Sequence, residues 1–110
     1  MFKKVSALLL LTLCLIFANA ASQAEAGEVY VGTYSDGTNA YLITESVNIQ
    51  SRSPYTFTLT VRYSGNYLYY SFYPYNGSPY YRNSEGYSAY VFGGQSPVAA
   101  NIYNYVLNHY

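Results

Sequence analysis

The side chains that could carry out nucleophilic or metal chemistry are scarce in this chain. It has one histidine, His109, one cysteine, Cys14, and one aspartate, Asp36. A Ser-His-Asp triad would have to combine His109 with Asp36, and the sequence has no Gly-x-Ser-x-Gly elbow to present the serine. The same counts exclude a metal site made of cysteines and histidines. We therefore expect no nucleophilic catalysis, no metal and no cofactor.

A pair of carboxylates could still support glycoside hydrolysis, because that reaction needs one acid and one base or nucleophile. The candidate acids are Glu28, Asp36, Glu45 and Glu85. A turn accounts for Asp36 and a polar loop accounts for Glu85. Glu45 shares strand parity with Tyr41 and Ile43, so it is either semi-buried or faces solvent. A small hydrolase that uses Glu45 or Asp36 ranks third among the hypotheses for function.

The abundant chemical group is the phenol, since the chain has 17 tyrosines and no tryptophan. Tyrosine combines a large rigid ring with a hydroxyl, so it serves both in cores and in binding surfaces. Alternation along residues 67–75 places four tyrosines on one strand face: Tyr67, Tyr69, Tyr73 and Tyr75. Leu68, Tyr70 and Phe72 take the opposite face. If those three residues are buried, the four tyrosines form an exposed aromatic row for binding, and the reverse orientation would bury the row.

Residues 1–20 have the layout of a secretory signal peptide. Lys3 and Lys4 precede an apolar run of about 13 residues, and Ala18-Asn19-Ala20 supplies a small-x-small cleavage triplet. A second triplet, Ala24-Glu25-Ala26, allows cleavage as late as residue 26. The run is shorter than the ~20 residues of a membrane-spanning helix, so no span is expected after cleavage. We expect residues 21–27 to form a flexible mature N-terminus and residues 28–110 a single exported domain, secreted, periplasmic or at a bacterial cell surface.

The charge that remains after cleavage argues against nucleic-acid binding. Both lysines lie in the signal, so Arg52, Arg62 and Arg82 face five carboxylates, which gives −2 after cleavage at residue 20 and −1 at residue 26. Nucleic-acid binding requires clustered Lys and Arg. Loss of Cys14 with the signal also means that the exported domain has no disulfide and depends on its core.

Period-two patterns and turn residues predict a series of strands. Asp36-Gly37 marks a hairpin turn between the first two strands, and Asn76-Gly77 marks a later turn. Residues 50–54 are expected to form a loop. The expected extended segments are 28–34, 40–49, 55–63, 67–75, 80–82 and 87–92. Pro74 favours an edge position or a strand end.

One helix is expected at the C-terminal end of the domain. Ser96 is a suitable N-cap and Pro97 a suitable first helical residue. Helical spacing then puts five residues on one stripe: Val98, Ile102, Tyr105, Val106 and His109. Asn101, Asn104 and Asn108 fall on the other side. The predicted fold is therefore α+β, an antiparallel sheet of four to five strands with one C-terminal amphipathic helix packed on it.

In layout, the chain resembles bacterial exported proteins of the surface-adhesin E type. The stretches that carry the resemblance are 37–47, the strand pair 55–75 and the helix 96–107. The cysteines that such proteins often carry are absent from the expected exported domain, and the chain has no tryptophan. The chain is also similar to small Tyr-rich exported proteins of anaerobic Gram-negative bacteria, a likeness that implies no activity.

The sequence favours a non-catalytic exported binding module of the cell envelope or surface. Its proposed contact residues are the four tyrosines of segment 67–75, and its expected partner is a glycan or an envelope protein. The alternative is an inhibitor or accessory protein of an envelope enzyme, which would act through segment 50–54 or segment 76–85. The hydrolase is the third possibility.

Overall fold

The computed structural model describes residues 27–110, so the predicted signal peptide and both cleavage positions lie outside the described residues. The described chain is mostly antiparallel sheet with one C-terminal helix, which confirms the α+β class. The elements are β1 (Glu28–Thr33), β2 (Asn39–Ile43), β3 (Asn48–Arg52), β4 (Tyr55–Tyr63), β5 (Asn66–Tyr75), β6 (Ser78–Asn83), β7 (Ser88–Tyr90) and α1 (Pro97–His109). The predicted count of four to five strands is too low, because seven strands form the sheet.

All strand pairs are antiparallel, and the sheet order is β1-β2-β4-β5-β6-β7. Strand β3 also pairs with β4, on the same side as β2. Strand β4 is hydrogen-bonded along both sides, to β5 on one side and to both β2 and β3 on the other. Its uninterrupted apolar–Thr alternation suits this central position, with one face buried and one wet.

The second predicted strand is split in two by a single 3₁₀ turn, Thr44–Ser46. Residues 43–47 lie opposite only Leu59 and Thr60 of β4, so the chain loops out and then rejoins the ladder. The Ser46 hydroxyl fills the gap: it accepts the Thr60 N–H at 2.8 Å and bonds the Ile43 carbonyl at 2.6 Å. An unpaired backbone donor would otherwise be left in the break. The extra residues explain why one predicted strand is observed as two.

The predicted loop at 50–54 is shorter than expected, and the extended piece predicted at 80–82 is longer. Segment 50–54 belongs to β3 up to Arg52, and only Ser53 and Pro54 form the turn to β4. Segment 76–85 contains β6, so the turn before it consists of Asn76 and Gly77 alone. Both residues have positive φ, 52° and 79°, as a tight two-residue hairpin requires. Pro74 lies beyond the ladder with β4 and one residue before the end of β5, as expected for a proline in a strand.

One face of the sheet forms the core together with the helix. The buried sheet residues alternate along the strands as predicted for β4 and β5: Phe57, Leu59, Val61, Leu68, Tyr70 and Phe72. Helix α1 buries Val98, Ala99, Ile102 and Val106 against them. Ser96 caps the helix by accepting the Ala99 N–H, which confirms the predicted start. His109 is exposed although the stripe includes it, because the helix ends there.

The helix docks on β1 at a bulge. Strand β1 shifts register between Tyr30 and Gly32, and the side chain of Asn101 donates to the Val31 carbonyl at 2.8 Å. A Cβ atom on Gly32 would lie 3.2 Å from Val98 Cγ2 and 3.1 Å from Asn101 Nδ2, so glycine permits the close approach. Asn101 lies outside the buried stripe, as predicted, and its amide also anchors the helix because the bulge leaves this carbonyl turned towards α1.

Helix α1 is the one helix longer than a single turn in the described part of the chain, and its 13 residues include several asparagines. No helix within residues 27–110 has the length and apolar character needed to cross a bilayer.

Candidate functional site

The four predicted contact tyrosines lie on the sheet face that points away from the helix. Strand β5 buries Leu68, Tyr70 and Phe72, which leaves the opposite parity on the outside. Tyr67, Tyr69 and Tyr75 are 55%, 60% and 51% exposed, and Tyr73 is half-buried. The orientation that the sequence left open is therefore the one that exposes the row.

The row divides into two groups, because Ser71 interrupts it. Tyr73 and Tyr75 join two tyrosines that the sequence analysis did not select, Tyr80 of β6 and Tyr90 of β7. The ring centroids of Tyr75 and Tyr80 are 4.9 Å apart, and those of Tyr80 and Tyr90 are 5.1 Å apart. The Asn76-Gly77 turn was the available signal, since a two-residue hairpin places Tyr73 opposite Tyr80. We call the six residues Tyr67, Tyr69, Tyr73, Tyr75, Tyr80 and Tyr90 the outer tyrosine face.

Hydroxyl side chains surround these rings on the outer tyrosine face. Thr60 lies opposite Tyr69, and Ser71 lies between Thr58 and Arg82 on its neighbouring strands. Tyr80 donates its hydroxyl to Ser88 at 3.2 Å, and Asn76 donates to the Tyr90 hydroxyl at 3.2 Å. The exposed large apolar side chains of strands β4 to β7 on this face are all tyrosines, and the face also carries the exposed Arg82, opposite Ser71.

The charges beside Tyr67 are paired. Arg62 lies opposite Tyr67 and forms two 2.7 Å hydrogen bonds to the carboxylate of Glu28. The Arg62 guanidinium also lies 4.8 Å from the centroid of the Tyr41 ring, in a cation–π arrangement. This neighbourhood therefore presents aromatic rings next to a neutralised ion pair, not a net charge.

The second candidate site is a concave one on the core face, where the helix leaves the sheet uncovered. It is a pocket of about 430 Å³. Its buried floor consists of Leu68, Tyr70, Tyr81 and Asn83. Tyr34, Tyr63 and Tyr87 form its sides, and two carboxylates, Asp36 and Glu85, lie on its exposed rim. We call this the aromatic pocket.

Asn83 positions the loop that closes one side of the aromatic pocket. It is the buried polar residue of the described core, at 8% exposure. Its side-chain oxygen accepts the N–H groups of Glu85 and Tyr87, at 3.0 Å and 3.2 Å. These bonds satisfy two backbone donors of the β6–β7 turn and hold both residues over the pocket. The hairpin turn with Asp36 forms the facing side.

Burial and hydrogen bonding perturb the tyrosines of this pocket. Burial, reinforced by the neighbouring Tyr70, raises the pKa of Tyr34 far above its usual value, and burial also raises the pKa of Tyr70. The hydrogen bond that the Tyr63 hydroxyl donates to Glu85 raises the pKa of Tyr63. The negative charges of Glu85 and Asp36 add to that rise, so both carboxylates act on the same phenol. All three phenols are therefore neutral hydrogen-bonding groups at neutral pH.

The candidate acids separate into three places. Asp36 and Glu85 share the aromatic pocket, whereas Glu28 is engaged by Arg62 on the outer face. Glu45 is exposed in the 3₁₀ turn, which settles the open question about its burial. Hydrogen bonds from Thr38 hold the pKa of Asp36 below its usual range, so Asp36 is ionised and unsuited to the role of general acid.

The remaining chemical residues do not assemble into a centre. His109 stacks on Tyr105 with ring centroids 4.0 Å apart, and it is not among the residues around Asp36 in the aromatic pocket. Within the described residues, no group of three or more His, Cys, Asp or Glu side chains is arranged to hold a metal ion.

Comparisons with known proteins found no matching family model, no matching curated protein and no matching solved structure. The resemblance in layout to surface-adhesin E-type proteins therefore stays a prediction.

Proposed function

We propose that this protein is a non-catalytic exported binding module that holds a linear glycan on the outer tyrosine face. The observation that supports the proposal most is the exposure of Tyr67, Tyr69 and Tyr75 on one side of a single strand. Exposed aromatic rings pack on the apolar C–H faces of sugar rings, because the negative face of the phenol ring attracts partially positive hydrogens.

The ligand is a chain and not a single sugar, because the row is long. Tyr67 and Tyr75 are eight residues apart on β5, which corresponds to about 27 Å at the usual rise of a strand. Two separate ring groups, one at each end of this distance, suit a ligand that contacts the sheet at more than one sugar. The sheet backbone fixes the spacing of the rings, so little ordering is required on binding.

The chemistry of the outer tyrosine face favours a glycan over a protein. Between the rings lie hydroxyls of Thr58, Thr60 and Ser71, which can donate to or accept from sugar hydroxyls. Among the described residues, strands β4 to β7 expose no Leu, Ile, Val, Met or Phe on this face. The buried core of a protein interface is enriched in Trp, Phe and Met beside Tyr, and those other apolar residues are missing from this face.

The test is calorimetric titration of the purified protein with soluble linear oligosaccharides, including neutral glucose and N-acetylglucosamine oligomers. We expect at least one series to bind more tightly as the oligomer grows longer. Substitution Tyr69→Ala should weaken that binding about tenfold, which corresponds to ~1.4 kcal/mol of lost ring burial. Tyr69→Phe should retain most of the affinity, because stacking needs the ring more than the hydroxyl.

Tyr87→Ala is the matched control, because Tyr87 is as exposed as Tyr69 but lies at the aromatic pocket on the other face. It should leave glycan affinity unchanged. If no oligosaccharide binds, or if Tyr87→Ala and Tyr69→Ala weaken binding equally, the proposal is wrong. A protein partner whose binding depends on Tyr69 would also contradict the proposal, because the ligand of this face would then be a protein.

A further inference from the structure

The aromatic pocket carries negative charge that no cationic side chain neutralises. Neither Asp36 nor Glu85 forms an ion pair with another side chain in residues 27–110, where the observed ion pair joins Arg62 to Glu28 on the outer tyrosine face. The pocket lining contains no Arg, Lys or His. The two carboxylates therefore create a negative potential at the mouth of a pocket of about 430 Å³.

The tyrosine rings on the floor and sides of the aromatic pocket also favour a positively charged ligand. Tyr34, Tyr63, Tyr70, Tyr81 and Tyr87 all line it. A ring presents its negative π face to a cation, and several rings around one concavity attract an alkylammonium group more strongly than one ring does. The Tyr34–Tyr70 hydrogen bond and the two bonds that Asn83 accepts from the β6–β7 turn fix these walls before a ligand arrives, so the cavity is preorganised.

We propose that the aromatic pocket binds an organic ammonium group, with its alkyl substituents against the tyrosine rings and its positive charge between Asp36 and Glu85. A bare metal ion suits the site less well, since the described residues offer no cluster of three ligating side chains there. One carboxylate oxygen of Glu85 is already engaged by the Tyr63 hydroxyl, which orients the carboxylate towards the pocket. This site lies on the opposite face from the outer tyrosine face and is independent of the glycan proposal.

The test compares two probes of one shape by NMR titration of the purified protein. The first is choline, and the second is its neutral isostere, in which a carbon atom replaces the quaternary nitrogen. We expect choline to shift the amide resonances of Asp36, Glu85 and Tyr87, and to bind about tenfold more tightly than the isostere. Equal binding of the two probes would show simple apolar filling of the pocket and would overturn the proposal.

One further probe identifies the source of the ammonium group. An α-acetylated lysine amide presents a primary ammonium on an alkyl chain, as a peptide would, whereas choline represents a lipid headgroup. The proposal requires that choline bind more tightly than its neutral isostere, and the tighter of the two charged probes then names the source. If neither probe shifts the pocket resonances at millimolar concentration, the proposal is wrong.

The double substitution Asp36→Asn and Glu85→Gln keeps the size of both side chains and removes both charges. We expect it to weaken the binding of the charged probe about tenfold or more, since two nearby carboxylates are lost. Tyr69→Ala on the outer tyrosine face is the control and should leave probe binding unchanged. Glycan binding should survive the double substitution, so failure of this proposal is distinguishable from failure of the proposed function.

Discussion

The hydroxyls of Tyr34 and Tyr70 are 2.7 Å apart and share a hydrogen bond that joins the β1–β2 hairpin to the central strand β5. Tyr70 is almost fully buried, and Tyr34 is half-buried. Burial is the largest cause of the raised pKa of each phenol, because a phenolate in this position would lose its solvation. Ionisation of these two phenols should therefore contribute to the pH dependence of stability.

Stability should fall at alkaline pH. Both folded-state pKa values are raised, so the folded protein keeps these two protons where the unfolded chain releases them. The stabilising contribution is complete below about pH 10, the value for an unperturbed phenol, and is lost as the pH rises above it. Urea unfolding measured at several pH values, with tyrosinate absorbance as a second signal, checks the direction.

The double substitution Tyr34→Phe and Tyr70→Phe removes both titrating groups. We expect it to leave stability at neutral pH nearly unchanged, because both partners of the hydrogen bond become apolar groups of the same shape, and to weaken the alkaline loss. Tyr69→Phe, on the exposed outer tyrosine face, should change neither. An alkaline transition that is unchanged in the double variant would contradict the assignment to this pair.

Gly32→Ala should loosen the helix. A methyl group there would meet Val98 and Asn101 at 3.2 Å and 3.1 Å, and the φ of +129° is unfavourable for alanine. We expect a loss of roughly 1–3 kcal/mol in the free energy of unfolding, measured in urea. Gly94→Ala is the matched control, because its φ is +88° but no atom lies within 4 Å of the added group. Equal losses in both variants would mean that backbone conformation, and not crowding against α1, sets the cost.

Ser46→Ala should weaken the side of β4 that pairs with β2 and β3. The substitution removes the acceptor for the Thr60 N–H in the break between β2 and β3. The expected cost is about 1–2 kcal/mol, because a partly buried donor loses its partner. Faster amide exchange at Thr60 than in the parent protein measures the effect locally. Ser78→Ala at an exposed position of β6 is the control, and protection of Thr60 that survives Ser46→Ala would disprove the role of the hydroxyl.

The sequence predicted the turns and the helix start, because residues adjacent in the chain determine these features. The turns at Gly37 and at Asn76-Gly77 were recognised because few other residues adopt the positive φ found there, and Ser96-Pro97 predicted the start of the helix. The exposed row on β5 followed from strict alternation, although the buried face could be assigned only when the helix was placed.

The break at Ser46 has a weaker signal than these turns, because the polar run of Thr44, Glu45 and Ser46 contains no Gly, Pro or Asn to mark it. The looped-out residues change which parity faces the core: Leu42 is buried in β2, whereas Ile49 packs on the core from β3. Only pairing with β4 reveals that change. The aromatic pocket was missed for the same kind of reason, since Asp36 and Glu85 meet only through the order of the strands.

The most direct test of the central claim is an NMR shift map of the protein with a bound linear oligosaccharide. The account predicts that the largest shifts fall on strands β5, β6 and β7, at Tyr67, Tyr69, Tyr75 and Tyr90, and leave Asp36 and Tyr87 unshifted. Shifts confined to the aromatic pocket, or none at saturating oligosaccharide, would contradict a glycan-binding role for the outer tyrosine face.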